Sequence, residues 1–446
     1  MSSTRRIAVV GAGISGLAAA YALGRDPASA RAEVVLFEAG SYFGGHTNTV
    51  EVCLPGPHGA LTHGVDTGFL VFNERTYPQL IELFAELDVA TAPSEMSFSV
   101  QVPEEFGAGK ALEWSGSDLN SVFAQRANLL RPRFWYLLRE ILRFNRLCTA
   151  LAEAGDDASL RLPIGDFLST NRFSETFCDW YFLPMIGCIW SCPTEQMLRF
   201  PVGTMIRFCH NHGLIQVSNR PRWYTVRGGA RHYVEKMLAQ IGDARVATPV
   251  EQVRRRPGGV QLSTAGGTEH FDQLVLACHS DQALALLADA TPQERAVLGA
   301  IRYQPNRAVL HTDASVMPSR KRAWAAWNYE RAASDDREQT RVCLHYWLNR
   351  LQPLPFTQDL FVTLNPVRPL RESAVIGRFD YEHPVFDLAA VEAQRRLPTI
   401  QGRDRTWFCG AWTGYGFHED GLRSGLQAAS AVAACTSGHE LQRSAA

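Results

Sequence analysis

A short apolar run, Ile7-Ala8-Val9-Val10, leads directly into Gly11-Ala12-Gly13-Ile14-Ser15-Gly16. No other stretch restricts the fold as strongly. The run suits a buried parallel strand, and the alanine- and leucine-rich segment from Ile14 to Leu23 reads as a helix. Val34-Val35-Leu36-Phe37 supplies a second buried strand, so the opening is a strand–helix–strand unit. In such a unit the first glycine permits a tight turn. The second lets a pyrophosphate approach the backbone, and the third lets the helix pack on the strand. The helix N-terminus then offers free N–H groups and a positive dipole end. Glu38 closes the second strand twenty-two residues after Gly16, with Ala39 beside it, where a carboxylate accepts hydrogen bonds from ribose hydroxyls. The spacing does not separate one dinucleotide from another. The bland alternative is a chance glycine turn with a surface glutamate.

The 446 residues, 46% of them hydrophobic, suffice for one large or two intertwined domains. A formal net charge of -1 creates no global field for a polyanion, so no nucleic-acid partner is expected. The ten cysteines show no metal-ligand spacing, and Cys188 and Cys192 lack a companion pair. They read as buried thiols of a reducing cytoplasm, with no metal expected. Arg5-Arg6 before an apolar run resembles an export signal, but that run carries the glycines at functional spacing and is read as mature structure. No run of about 18 apolar residues predicts a membrane span. The expected location is the cytoplasm, with peripheral contact at the inner membrane face.

Residues 76–222 carry helical patterns and many aromatics, and a strand-rich return begins near Tyr224. Val246 to Arg254 and Gly259 to Thr264 are expected to pair, and Gln273 to Ala277 reads as a buried strand. Val309-Leu310-His311, Val342-Cys343-Leu344 and Leu360 to Thr363 suggest a further sheet. Trp407 to Ala434 repeats the opening logic of strand, glycine-rich turn and helix. Gly44-Gly45-His46-Thr47 is read either as a plain turn or as backbone passing close to a second part of an extended cofactor.

With these segments placed, the chain resembles the flavin amine oxidase and carotenoid desaturase superfamily. The resemblance rests on the glycine fingerprint, Glu38, Gly44-Gly45, the central Arg227-Gly228-Gly229, and Gly410-Ala411-Trp412 followed by 416–425. It implies an α/β fold, with a Rossmann-type FAD-binding domain interleaved with an α+β substrate domain. The expected divisions are 1–75, 223–290 and 396–446 for FAD, and 76–222 with 291–395 for substrate and a helical lid. By the same resemblance, Gly68 and Phe69 lie near the flavin, the Val250 backbone meets the adenine, and Asp420-Gly421-Leu422 opens a helix aimed at flavin N1 and C2=O. Two positions depart from the pattern. His46 replaces the usual arginine, and Trp412 replaces an acidic residue, which leaves the ribitol contact to other groups. A closer subgroup is similar: bacterial FAD proteins found with cyclopropane-fatty-acid-synthase-like methyltransferases. The segments GGHTNTV (44–50), DTGFLVFN (66–73), IWS (189–191), RFP (199–201), NHG (211–213) and GFHEDGL (416–422) carry that likeness. The subgroup includes desaturases of methylated fatty acyl chains on the route to furan fatty acids.

Several residues then become candidates for chemistry. His418 and Glu419 are the expected catalytic pair, with His46 and Tyr415 as further acid–base candidates, because a histidine beside carboxylates can have a raised pKa. Asp66 and Asn73 flank Gly68-Phe69-Leu70, near the flavin or in a polar turn. Amine oxidases place a lysine near the strand after Tyr303, and none of Lys110, Lys236 and Lys321 occupies it. Phe417 keeps an aromatic where those enzymes place a cage tyrosine. Trp180 or Trp190, with Phe182, Met185 and Ile186, are candidates for lining an acyl channel or for plain core. From Arg126 to Leu147 six arginines accompany a single acid, Glu140. On a helix Phe134, Leu137, Ile141 and Phe144 share one face, and Arg139, Arg143 and Arg146 the other. That helix suits an anionic membrane surface or an ordinary lid with a solvated face. The expectation is an FAD-dependent desaturase of a methyl-branched unsaturated acyl chain of a phospholipid. An amine or small-substrate oxidase and a non-catalytic flavin- and lipid-binding protein are the rivals.

Overall fold

The computed structural model describes residues 5–25, 32–154, 161–216, 220–332 and 342–444. The opening unit forms as the sequence predicts: β1 (Arg5–Val10), α1 (Ile14–Arg25) and β2 (Ala32–Phe37). The helices that shape the site follow as α2 (Pro78–Glu86), α3 (Pro132–Ala154) and α4 (Val202–Asn211). The chain then returns to the first sheet through β3 (Asp243–Arg245), β4 (Gln273–Leu276) and β5 (Thr406–Phe408), and ends in α5 (His418–Ser444).

These five strands form one parallel sheet in the order β3-β2-β1-β4-β5. Ile7, Ala8, Val9 and Val10 in its centre are all buried. Apolar residues on both sides of each strand are what a sheet covered on two faces requires. One face packs on α1, α2 and α5; the other packs on Val260, Leu262, Phe271 and Ala390. A second, seven-stranded mixed sheet contains Phe98–Val102, Arg302–His311, Cys343–Trp347 and Phe361–Leu364, so the three apolar runs read as a further sheet do lie in one. Its core merges with the helical region between 119 and 215.

The hydrophobic clusters shift the expected domain divisions. Leu80, Leu83 and Phe84 of α2 belong to the core of the first sheet, as do Val297, Leu298, Ala390 and Ala393. A boundary after 75, 290 or 395 therefore cuts through a packed core. Strand pairing differs at one point as well. The strand expected from Val246 starts at Val250, because Ala247 takes a left-handed φ of 50° and its N–H turns to the carbonyl of Gly40.

Candidate active site

The site begins at the turn between β1 and α1. Gly11 has φ +99°, and its N–H bonds the carbonyl of Phe37 at 2.8 Å. A Cβ on Gly16 would lie 1.8 Å from the Gly11 carbonyl oxygen, so only glycine fits. A Cβ on Gly13 would meet nothing within 4 Å. The first clash protects the fold; the second position faces open space. Glu38 reaches back to this turn. Its carboxylate accepts the N–H of Ala12 at 2.8 Å and that of Gly40 at 2.7 Å. Thr248 N–H bonds the Glu38 carbonyl, which brings the chain entering Val250 alongside. The Val250 pairing is followed by a register shift in the strand ladder.

The double glycine is more than a plain turn. Gly44 N–H bonds the Ala12 carbonyl at 2.8 Å, and a Cβ on Gly45 would lie 3.1 Å from the Gly13 Cα. Both glycines have positive φ, 117° and 59°. The close approach is thus to the fingerprint turn itself. Gly68 is locked in the same way, since its Cβ would sit 2.2 Å from the His46 carbonyl oxygen, which accepts the Phe69 N–H.

The last helix completes the cradle. It starts at His418, two residues earlier than the sequence suggests. A Cβ on Gly421 would lie 2.7 Å from Ile14 Cγ2, and one on Gly425 would lie 2.1 Å from the Ser15 carbonyl oxygen. Gly421 and Gly425, one turn apart, let α5 cross α1 backbone to side chain. The two helix N-termini converge, and with them two positive dipole ends and two sets of N–H groups without intrahelical partners. Asp420 holds the entry to α5. Its carboxylate accepts the N–H groups of Tyr415 and Phe417 at 2.9 and 3.1 Å and pairs with Arg423. Leu422 is fully buried beneath. Trp412 turns its indole away and donates to the Cys278 carbonyl at 3.2 Å, while the Gly410 N–H bonds Ser424 Oγ. The carbonyls of Gly410, Ala411 and Trp412 accept bonds from Thr413, Gly414 and Gln394, so at 410–412 the N–H groups of Ala411 and Trp412 and the Ala411 side chain remain for a ligand.

The expected acid–base pair is corrected in part. His418 lies with its ring stacked on Phe69, centroids 3.8 Å apart, and its Nε2 is 2.6 Å from the Tyr233 hydroxyl. Tyr233 in turn bonds Thr47 at 2.5 Å. Burial lowers the His418 pKa to about 3, whereas the sequence suggested a raised value. The flanking carboxylates do not reach its ring. Glu419 instead accepts the N–H groups of Gln79 and Leu80, both at 3.0 Å, at the N-terminus of α2. Tyr77, the residue at the cap position of α2, supplies no side-chain bond, so Glu419 caps that helix from 340 residues away in sequence. Glu419→Ala is expected to destabilise the fold by about 2 kcal/mol, since it strands two amides. Thermal or urea unfolding of the variant would measure it.

His46 is also neutral. Burial, then the nearby His383, His279 and His418, lower its pKa to about 3. Its ring stacks on Tyr381 at 5.0 Å, and its Nε2 is buried with no hydrogen-bond partner. Asp66 anchors the central glycine loop by accepting the Ala230 N–H at 2.9 Å, and Asn73 accepts the N–H groups of Arg75 and Thr76 in a polar turn. Burial raises the Asp66 pKa to about 6.

His46, His212, His383 and His418 all have lowered values, about 3, 4, 4 and 3. The unfolded chain takes up protons near the ordinary value of 6.5, and the native chain does so only well below it. The stability that these four groups contribute is therefore present above about pH 6.5 and is lost as pH falls toward 4. Each group withdraws roughly 1 kcal/mol between about pH 6.5 and pH 5.5. Melting temperatures that stay flat over that window would contradict this assignment.

Beyond the cradle lies an aromatic wall. Phe417 stacks on Phe208 at 4.6 Å and 22°, Trp190 lies 5.2 Å from Phe208, and His212 lies 5.7 Å from Phe417. A cleft of about 520 Å³, bordered by Pro93, Glu95, Met96, His212, Leu214 and Trp223, meets it at His212. Of the side chains considered for an acyl channel, Trp190 packs against Phe208 of this wall but is itself 4% exposed. Trp180, Phe182 and Ile186 are core, at 1%, 0% and 0% exposure, with Met185 also buried.

One cluster escaped the sequence reading, which looked only for spaced cysteines. Glu330, Cys343 and His345 meet in the buried second sheet. His345 Nε2 is 2.9 Å from Glu330, its Nδ1 is 2.8 Å from Thr363 Oγ1, and Thr363 bonds His311 at 2.7 Å. These groups satisfy one another as a hydrogen-bonded chain across four strands.

The geometry suits an extended dinucleotide. Two convergent helix N-termini, open space at Gly13 and the orphaned His46 Nε2 are what a bound pyrophosphate and an attached ring system would occupy. An α/β chain with such a glycine cradle is a dinucleotide-binding protein. Residues 14–433 match the model for flavin-containing amine oxidoreductases, so the chain belongs to that family, and its cofactor is FAD. No curated protein matches it. Among solved structures it is similar to cyclohexylamine oxidase from Brevibacterium oxydans IH-35A, at 16% identity and TM-score 0.68, covering 97% of this chain and 99% of that one. It is also similar to a CLA-producing fatty acid isomerase from P. acnes, at 16% identity and TM-score 0.65 with the same coverage. Wild-type putrescine oxidase bound to putrescine matches at 15% identity and TM-score 0.65, covering 96% and 99%. Identities this low establish a shared fold.

Proposed function

We propose that this FAD-dependent oxidoreductase desaturates a methyl-branched, already unsaturated acyl chain of a phospholipid. The observation that supports the reading is the ring cluster of Trp190, Phe208 and Phe417, which packs on His212 at the edge of the cleft. At the cleft the neutral His212 and the apolar Pro93, Met96, Leu214 and Trp223 suit hydrocarbon, and the lining carboxylate Glu95 is already paired with Arg350 and so is not free for an ammonium group. One protein of the same fold is a fatty acid isomerase, so the fold accommodates acyl chains.

The cradle formed by 11–16, 44–45 and 410–422 would hold FAD, which when bound would supply the two-electron acceptor for a hydride removed from an allylic carbon. The chain's own residues do the rest. Phe417 and Phe208 hold the acyl segment and exclude water. Convergent N–H groups at the start of α5 would stabilise the negative charge that the cofactor gains on reduction. The second hydrogen leaves as a proton. Burial makes His418 and His46 weak bases, with pKa values of about 3, so the proton leaves to solvent by way of the cleft, and neither histidine titrates in the pH profile between 5 and 9.

The test is anaerobic mixing of the flavin-loaded chain with phospholipid bearing such acyl chains. Flavin bleaching together with new conjugated-diene absorbance is expected. Bleaching by cyclohexylamine or putrescine, with no response to lipid, would assign the chain to amine oxidation instead. Bleaching by neither would leave a flavin-bearing lipid binder.

A further inference from the structure

The outer face of α3 and of the short helices before it carries an uncommon mixture. Leu119 is 78% exposed, Leu130 87%, Leu142 52% and Trp135 50%; Leu129 and Tyr136 are exposed beside them. Six of the thirteen large apolar side chains exposed among the described residues thus fall between 119 and 142. Apolar groups concentrated in this way mark an interaction surface. The patch is continuous. Trp135 donates its indole N–H to the Leu129 carbonyl at 3.0 Å, and its ring lies 5.2 Å from that of Phe123. Along α3, Trp135, Arg139, Leu142 and Arg146 recur at helical spacing and are all exposed. The inner side is anchored by Phe134, Leu137 and Phe144, each 0% exposed.

The charge on this face has one sign. Between 119 and 147 the only acid is Glu140, which is buried and engaged by the backbone and hydroxyl of Ser174. Arg133 has Glu105 at 3.4 Å, and Arg143 has Glu140 at 3.7 Å. Among the described residues no carboxylate pairs with Arg126, Arg131, Arg139 or Arg146.

We infer that this face docks on a bilayer rich in anionic phospholipid, with the leucines and Trp135 entering the headgroup boundary and the arginines meeting phosphates. Exposed apolar and basic groups together are what such a surface selects. A second copy of the chain is a poorer occupant, because a two-fold contact would set one arginine cluster against its own image. The place in the fold also fits. The inner face of α3 packs on α4, and α4 carries Phe208 of the aromatic wall, so one helix layer separates the docking face from the cleft wall. The purpose of docking, delivery of a lipid acyl chain, rests on the function proposed above; the binding itself does not.

The test uses the full flavin-loaded chain and sedimentation with vesicles of phosphatidylcholine alone or mixed with phosphatidylglycerol. Binding is expected only to the anionic vesicles and is expected to weaken as salt rises. The double variant Leu119→Asp, Leu130→Asp should keep its flavin and fold, as both side chains project into solvent, yet lose at least about tenfold in vesicle affinity. Arg139→Glu with Arg146→Glu should do the same. Absence of binding to anionic vesicles at low salt would overturn the inference. So would unchanged binding of the variants, or a concentration-dependent dimer that Leu130→Asp dissolves. Diene formation from the same lipid in detergent micelles separates the two proposals. Vesicle binding without micellar activity would sink the substrate reading and spare the docking face.

Discussion

A Gly13→Val chain is expected to fold normally and to emerge without flavin. At most fingerprint glycines a side chain would damage the protein itself, and the loss of cofactor would say little. Gly13 is different, because its missing Cβ points into open space with nothing within 4 Å. A valine there meets no protein atom at its first carbon, so the melting temperature of the flavin-free chain should stay close to that of the parent. The bulk falls where the pyrophosphate must approach the helix N-terminus. Crowding of this kind costs about 3 kcal/mol, or about a hundredfold in FAD affinity. A Gly13→Val chain that binds FAD as tightly as the parent would mean that the cofactor does not lie over this turn.

Gly425→Val is expected to fail in the opposite manner, through the fold first. A Cβ at Gly425 would lie 2.1 Å from the Ser15 carbonyl oxygen and 3.0 Å from the Ala18 Cβ. The neighbour is backbone in the first turn of α1, which cannot move without distorting the fingerprint. Two helices forced apart would lose packing along their whole contact, including buried Leu17, Ala18, Ala428 and Val432. Destabilisation by roughly 3 kcal/mol or more is expected, with flavin lost as a consequence. Urea unfolding of the flavin-free chains would measure it. A small effect would mean that α1 and α5 cross at a greater distance.

The contrast between these two glycines shows what the sequence could convey. The strand–turn–helix opening, Glu38 and the closing repeat at 407–434 were legible, because burial on both faces and the needs of a glycine turn leave local marks. The amphipathic split of α3 was legible too: Phe134, Leu137 and Phe144 are buried, and Arg139 and Arg146 exposed. The pair Gly421 and Gly425, four apart in a helix, is a local mark of close helix crossing. What stayed hidden depends on distant partners. Glu419 reads as a catalytic acid beside His418 until the N-terminus of α2 appears beneath it. Nothing near Tyr233 announces that it links Thr47 to His418. The sign of the His418 shift follows from burial against Phe69, a contact formed across most of the chain. The outward leucines at 119 and 130 were invisible for the same reason, since exposure is a tertiary property.

Two glycine-permitted turns brought together at the crossing of α1 and α5 are held to grip a single FAD. Calorimetric titration of the flavin-stripped chain with FAD tests this, with the Gly13→Val chain alongside. One FAD bound per parent chain and markedly weaker uptake by the equally stable variant is the predicted result. A folded parent chain that takes up no FAD would contradict it.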